Sequence, residues 1–228
     1  MKPLDMSKSR IVDLSYKVVP SVKKANGKYF HAEPFFGREI HLEEFLFAPQ
    51  DNVRMHWIRG ETHVGTHLES SLKVSETGKD IASLPLDHFV GEALVVDLSK
   101  KKANEPITPE DFENAGAGDG ERLLIRGPSD DVTPIPYLTW EGAKWLVKHK
   151  TKLIAMQNCM EYAPGELQNK LPEDKQNAVL LFMNDVVRID AIKNLELLKK
   201  KRVFLIALPL NFSRMEASWT RAIAIEEK

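Results

Sequence analysis

The chain has 228 residues, of which 43% are hydrophobic and 29% are charged, a balance typical of a globular protein with a substantial buried core. Its 32 basic and 33 acidic side chains give a formal net charge of -1, which excludes a strong overall attraction to nucleic acid or anionic lipid. No apolar run approaches the roughly 20 residues of a membrane helix, and the N-terminus lacks the apolar core of a signal peptide. We therefore expect a cytoplasmic protein with no nucleic-acid or membrane partner.

Segments rich in β-branched and aromatic residues predict nine strands in chain order. They are residues 10–14, 38–48, 53–59, 93–98, 122–126, 152–156, 186–189, 202–209 and 220–226. Thr108 followed by Pro109 predicts a helix start, and Gly116 predicts its end. A second helix with a broad apolar face begins at Thr139, and residues 194–198 predict a short helical turn. Because no repeat or linker interrupts this order, we expect one mixed α/β domain over residues 1–228.

A cluster of candidate metal ligands lies between the third and fourth predicted strands. His63, His67 and Glu69 occupy odd-numbered positions around Gly65, so an extended chain points all three toward one side. Imidazole and carboxylate groups suit zinc, manganese and iron, and three ligands leave positions free for water and substrate. The alternative is a hydrogen-bonded histidine pair beside a solvated glutamate. The single cysteine, Cys159, excludes a multi-cysteine zinc site.

This stretch resembles the signature of the cyclase family, His-x-Gly-Thr-His-x-Asp-x-Pro-x-His, a family that includes bacterial kynurenine formamidases and isatin hydrolases. His63, Gly65, Thr66 and His67 match it directly, and Glu69 stands at the aspartate position. Further segments are similar in family order, so that the resemblance covers nearly the whole chain. These segments are residues 12–15, 91–98, 107–112, 123–127, 137–145, 208–210 and 221–224.

The resemblance implies a β/β/α swivelling architecture with a mixed sheet, usually assembled as a homodimer or homotetramer. It also implies a metal-dependent hydrolase that cleaves the amide C–N bond of a small aryl-formamide or cyclic amide. The corresponding activity is that of an arylformamidase of tryptophan catabolism. The expected cofactor is one divalent ion, zinc or manganese, bound by His63, His67 and Glu69.

The sequence departs from the family pattern at several positions. Lys73 replaces the last histidine of the signature, and could act as a base in a dry pocket or as a cation that stabilises an oxyanion. Asp190 stands where the family has a glutamate, and Ala178 where it has a histidine, so we expect the second metal site to be lost. Cys159 is more consistent with a buried hydrophobe than with a nucleophile, and Glu161 is an additional candidate pocket carboxylate.

These departures leave two alternatives to a metal-dependent hydrolase whose catalytic residues are Lys73 and Asp190. The first is a catalytically degenerate family member that binds or senses a small molecule. The second is a metal-free enzyme in which Lys73, Glu69 and Asp190 transfer protons. Metal analysis and chelation distinguish the three hypotheses.

Overall fold

A long mixed sheet, a small four-stranded sheet and a pair of short strands form the framework of the protein. The computed structural model describes residues 5–48, 50–130, 132–163 and 176–228. Its strands are β1 (Ser9–Asp13), β2 (Ser21–Lys23), β3 (Tyr29–Phe30), β4 (Ile40–Leu46), β5 (Met55–Gly60), β6 (His67–Glu69), β7 (Val90–Asp97), β8 (Pro106–Ile107), β9 (Arg122–Arg126), β10 (Tyr137–Leu138), β11 (Leu153–Gln157), β12 (Val187–Asp190), β13 (Arg202–Ile206), β14 (Ala217–Trp219) and β15 (Ile223–Glu227). Its α-helices are α1 (Pro109–Ala115), α2 (Trp140–Lys148) and α3 (Asn177–Met183).

The long sheet has nine strands in the order β1-β15-β13-β7-β9-β11-β12-β6-β14. The four strands β7, β9, β11 and β12 are parallel neighbours, and helices α1, α2 and α3 lie in the connections between them. Parallel strands need such crossovers, which cover the sheet and bury its strands on both faces. Leu123, Leu124 and Ile125 of β9 are accordingly all buried. The other pairings in this sheet are antiparallel.

Alternate side chains of the parallel strands contribute to two separate hydrophobic cores. Leu124 packs into a core with Phe89 and Leu14, whereas Leu123 and Ile125 pack into a core with helix α2. This alternation follows from the two-residue period of a strand, which directs successive side chains to opposite faces. The central part of the sheet is thereby fixed on both sides.

The small sheet has the order β3-β2-β4-β5, and much of its apolar surface is exposed. Glu44 on β4 is buried and pairs with Arg54 at 2.8 Å and with Lys24 at 3.5 Å. The exposed large side chains of this sheet are Tyr29, Phe30, Phe45, Met55, Trp57 and Ile58. A monomeric protein rarely exposes so many large apolar groups together.

The predicted elements are present in the structure. Each of the nine predicted strands overlaps an observed one, and helix α1 ends at Gly116, which adopts a φ of 73°. Helix α2 follows Thr139, whose hydroxyl oxygen accepts a hydrogen bond from the Gly142 N–H at 3.0 Å. Helix α3 and the strands β2, β3, β8, β10 and β14 were not predicted, and β6 was predicted only as an extended segment. No helix among the described residues is long and apolar enough to cross a membrane.

The mixed α/β architecture predicted from the sequence is confirmed by the long sheet and its crossover helices. Its assignment as one domain over the full range 1–228 stays a prediction.

Candidate active site

Strand β6 carries two of the three candidate ligands. It lies between β12 and β14, so that His67 pairs with Asp190 on one side and with Trp219 on the other. His67 and Glu69 point to one face of the sheet, while Leu68 points to the opposite face and packs into the core. Pairing on both sides therefore fixes the direction of both ligands.

A turn, rather than a continuous strand, brings His63 to the other two ligands. Residues 62–66 form bends and turns, and Gly65 has a φ of 71°, in the left-handed region that favours glycine. The hydroxyl of Thr66 donates to the Ala191 carbonyl at 2.6 Å, which anchors the turn to the end of β12. The predicted extended conformation is thus correct for His67 and Glu69 but wrong for His63.

Three ligand atoms converge in this turn and strand. His63 Nδ1 lies 3.0 Å from His67 Nε2 and 2.9 Å from Glu69 Oε1, and the His67 Nε2 to Glu69 Oε1 distance is 3.3 Å. Ligands bound at about 2.0–2.2 Å to one zinc ion in a tetrahedral or more crowded shell are separated by roughly these distances. Among the described residues, His63, His67 and Glu69 form the group able to hold a metal ion.

The outer nitrogen of each histidine faces an acceptor. His67 Nδ1 lies 2.8 Å from the Gly65 carbonyl oxygen, and His63 Nε2 lies 3.2 Å from Glu216 Oε1. When each of these nitrogens donates its proton, the inner nitrogens are left with lone pairs directed at each other and at Glu69. Such outer partners are the usual means by which a protein orients metal-binding imidazoles. The residues present therefore fit a bound cation.

Two basic side chains compensate the buried charge of Glu69, whose side chain is fully inaccessible to solvent. Lys73 Nζ donates to Oε1 at 2.5 Å, and Arg188 Nη2 lies 2.6 Å from Oε2. Burial alone raises the pKa of Glu69, but two effects outweigh it: the hydrogen bond that His67 Nε2 donates when that nitrogen carries a proton and no ion is bound, and the charges of Arg188 and Lys73. The pKa of Glu69 is therefore held well below its usual range, and the side chain is a carboxylate.

Arg188 joins the Glu69 carboxylate to two further acids. Its Nη1 pairs closely with Glu161, and its Nη2 lies 3.5 Å from Asp190 Oδ2. Burial lowers the pKa of Arg188, yet the charges of Glu161, Glu69 and Asp190 outweigh this effect and raise it. Asp190 Oδ2 lies 3.7 Å from His67 Nε2, and half of the Asp190 side chain is exposed.

A cavity of about 400 Å³ opens over this cluster. It is lined by the three candidate ligands, by the predicted catalytic residues Lys73 and Asp190, and by Tyr16, Phe35, Phe36, Arg38, Met156, Gln157, Asn158, Ala191 and Ile192. Phe35 makes edge-to-face contacts with Tyr16 and Phe36, with ring centroids 5.2 and 4.7 Å apart. The lining of the cavity therefore combines a contiguous aromatic wall with charged groups.

Other residues considered in the sequence lie away from the ligand cluster. Ala178 belongs to α3, and the adjacent Asn177 is buried with its amide donating to the Leu138 and Glu161 carbonyls. Cys159 is buried, and this burial raises its pKa to about 12, so it is not an activated nucleophile. Glu161 pairs with Arg188, as described above.

Two residues of the cluster were missed by the sequence analysis. Arg188 lies two positions before Asp190 on β12, and the strand period could have placed both on one face. Glu216 gave no comparable signal, because it is separated from His63 by 153 positions and precedes a strand that was not predicted.

The Cyclase family model matches residues 12–159 of the chain. The chain belongs to the cyclase family. A kynurenine formamidase of Erythrobacter litoralis is 32% identical over 174 residues, which cover 72% of this chain and 74% of the relative. A kynurenine formamidase of Salinibacter ruber is 37% identical over 86 residues, and that match spans 37% of this chain and 39% of the relative. The predicted family is confirmed.

Solved structures of this family share the fold. Isatin hydrolase A from Labrenzia aggregata superposes with a TM-score of 0.70 at 21% identity, covering 97% of this chain and 95% of that chain. The predicted cyclase-family fold is therefore confirmed. The names of these relatives support the prediction that the chain is an enzyme of the hydrolase class.

Proposed function

We propose that this cyclase-family chain is a metal-dependent hydrolase that cleaves the amide C–N bond of a small aryl-formamide or cyclic amide. His63, His67 and Glu69 hold one divalent ion, zinc or manganese. The observation that carries this proposal is the convergence of three ligand atoms whose outer partners direct both imidazole lone pairs inward. The names of the relatives, kynurenine formamidase and isatin hydrolase, support the substrate class.

The charges around the cluster favour a single ion. Its acidic members are Glu69, Glu161, Asp190 and Glu216, and its basic members are Lys73 and Arg188. With neutral imidazoles, the acids exceed the bases by two charges, which one divalent ion balances. A second divalent ion at this position would give these residues an excess of two positive charges next to the buried Glu69 and Arg188, which is unfavourable away from water.

Two residues of the chain carry the proposed proton and charge chemistry. A divalent ion bound at such a site polarises a carbonyl group and lowers the pKa of water toward about 7. Asp190 is half exposed in the cavity, 3.7 Å from His67, and is our candidate acceptor for the proton of the attacking water. Asp190 then returns that proton to the leaving nitrogen as the C–N bond breaks.

Lys73 supplies positive charge beside the reacting carbonyl. Its Nζ donates to the Glu69 carboxylate at 2.5 Å, and we assign it the role of a cation rather than a base. A fixed ammonium group at the cavity wall stabilises the negative charge that develops on the carbonyl oxygen. This assignment favours the second of the two roles that the sequence left open for Lys73.

The aromatic wall of the cavity supports an aryl substrate. Phe35 contacts both Tyr16 and Phe36 edge to face, and all three residues line the same cavity as the ligands. Aromatic rings pack well against a substrate ring in offset or edge-to-face geometry. Trp57, Trp140 and Trp145 do not line this cavity.

The deciding experiment combines elemental analysis with turnover. Wild-type protein, His63→Ala and His67→Ala are purified and loaded with zinc or manganese, and hydrolysis of an N-formyl arylamine and of a cyclic aryl amide is followed. We expect about one ion per wild-type chain, with loss of both ion and turnover in the variants. His149→Ala is the matched control, because His149 pairs with Asp119 at 2.7 Å outside the cavity.

The outcomes separate the three hypotheses. Bound metal without turnover of either amide favours a small-molecule binding protein on the same fold. Turnover that survives chelation, and is lost in Lys73→Met, favours the metal-free proton-transfer cluster. Retention of the ion in both histidine variants contradicts the proposed ligand set.

We also propose that the chain forms a homodimer or homotetramer through the exposed face of its small sheet. Trp57 is 67% exposed and its ring lies 5.2 Å from that of Phe45, which is also exposed. Burying such aromatic groups against a second copy removes a large apolar surface from water. Trp57→Lys should lower the mass measured by light scattering, whereas Leu86→Lys, at an equally exposed position elsewhere, should not. An unchanged mass in Trp57→Lys contradicts this assembly.

A cytoplasmic location and a role in tryptophan catabolism stay predictions. Fractionation of the source cells and growth on tryptophan after gene deletion test them.

A further inference from the structure

Arg188 contacts the oxygen of Glu69 that the histidines do not use. Its Nη2 lies 2.6 Å from Oε2, while His63 Nδ1 and His67 Nε2 lie 2.9 and 3.3 Å from Oε1. The two strands impose this arrangement, because Arg188 on β12 is the direct cross-strand partner of Glu69 on β6. The carboxylate therefore has one oxygen directed to the guanidinium and the other to the imidazoles.

The guanidinium of Arg188 is itself held in place. Its side chain is 14% exposed, its Nη1 pairs with Glu161, and its Nη2 also lies near Asp190. The guanidinium carbon lies 5.8 Å from the centre of the Phe182 ring. A planar guanidinium with several fixed carboxylate partners keeps its direction better than a flexible ammonium group.

On the basis of the proposed single-ion site, we propose that Arg188 is a positioning residue that serves as a permanent counter-charge to Glu69. The guanidinium keeps the carboxylate seated between the two histidines, whether or not an ion is bound. Its positive charge also partly neutralises the Glu69 carboxylate and repels the ion. Arg188 therefore weakens ion binding while it preserves the shape of the site. This arrangement lets the ion exchange readily, because the site keeps its shape whether or not the ion is bound.

Replacing Arg188 should lower the stability of the ion-free protein and raise its affinity for the ion. Arg188→Met leaves the fully buried Glu69 carboxylate with one basic partner fewer. Breaking a buried pair in this way should lower the Tm of the chelator-treated protein by roughly 6–20 °C. Removing one positive charge close to a divalent ion should at the same time tighten its binding on the order of tenfold or more.

The experiment measures thermal unfolding and ion affinity of the full chain with EDTA and with a series of buffered zinc or manganese concentrations. In Arg188→Met, the ion-induced rise in Tm should exceed that of the wild type by about 3–6 °C at equal free ion. A purely structural role for Arg188 lowers the Tm equally in both conditions and leaves this difference at zero. Arg188→Lys keeps the charge and should restore an ion affinity close to that of the wild type.

A second variant tests the same idea with the opposite sign and without removing Arg188. Glu161→Gln removes one of the carboxylates that share the guanidinium charge, so more of that charge acts on Glu69. We expect ion binding to weaken several-fold in Glu161→Gln. Arg202→Met is the matched control, because Arg202 bridges Glu92 and Glu121 at 2.8 and 2.7 Å outside the cavity. It should change neither the affinity nor the ion-induced shift.

An ion-induced shift in Arg188→Met that is equal to or smaller than in the wild type overturns the proposal. Weaker ion binding in Arg188→Met also overturns the proposal, because it would mean that Arg188 mainly orients Glu69 for the ion rather than repelling the ion. Tightened or unchanged binding in Glu161→Gln also contradicts it. If the wild type and every variant bind no ion, the proposed function fails instead, and the two failures are distinguishable.

Discussion

The turn at Gly65 offers a quantitative test of how the ligands are brought together. Gly65 has a φ of 71°, and a methyl group added there would lie 2.5 Å from Val18 Cγ2. The left-handed conformation costs alanine about 1–2 kcal/mol, and the overpacking adds about 1–3 kcal/mol. We expect Gly65→Ala to lose about 2–5 kcal/mol of unfolding free energy, or roughly 4–20 °C in Tm. Its ion affinity should also fall, because His63 and His67 flank the turn.

Two variants separate the backbone contribution from the steric one. Gly27→Ala has a similar φ of 81° and no atom within 4 Å of the added methyl group, so it should lose only the backbone part, about 1–2 kcal/mol. Adding Val18→Ala to Gly65→Ala should recover part of both the stability and the ion affinity. Denaturant unfolding and ion titration measure these effects. Equal losses in Gly65→Ala and Gly27→Ala, or no recovery in the double variant, would refute the steric argument.

Three further predictions concern individual side chains of the cluster and its surroundings. The pKa of Glu69 lies below its ordinary value of 4.5, so its contribution to stability is present above pH 4.5 and is lost as the pH falls to lower values. The unfolding free energy of Glu69→Gln should therefore fall less steeply than that of the wild type as the pH decreases through that acidic range. An equal slope in the two proteins contradicts the ion pairs of Glu69. Cys159 has a pKa of about 12, so Cys159→Ala should keep full turnover and the native thiol should resist iodoacetamide at neutral pH. Lys73→Met should lower kcat by about 10²–10³-fold with a smaller change in KM, whereas a change confined to KM assigns Lys73 to substrate binding.

The sequence was most informative where local patterns determine the structure. Enrichment in β-branched and aromatic residues predicted nine strands, and the Thr108 and Gly116 signals correctly bounded helix α1. The spacing of His67 and Glu69 also predicted their common face, because β6 is a regular strand. These features depend on residues close together in the chain.

The remainder depends on contacts between distant segments. Glu216 is oriented toward His63 by strand pairing that no local pattern reveals, and the contact of Arg188 with Glu69 requires the register of β12 against β6. The turn at Gly65 was predicted as extended chain because a glycine between two histidines is compatible with both conformations. Nor did the hydrophobic pattern of β5 distinguish a buried strand from the exposed one observed here.

The aromatic wall and the ligand cluster belong to different kinds of structure. Phe35 and Phe36 lie on a connection outside the long sheet, whereas His67, Glu69, Arg188 and Asp190 are fixed by the pairing of two adjacent strands. Replacing residues of that connection can therefore reshape the cavity without disturbing the hydrogen-bonded register beneath it. The protein is in this sense modular: its substrate range can diversify, by evolution or by directed mutagenesis, while the chemistry at the cavity floor is retained.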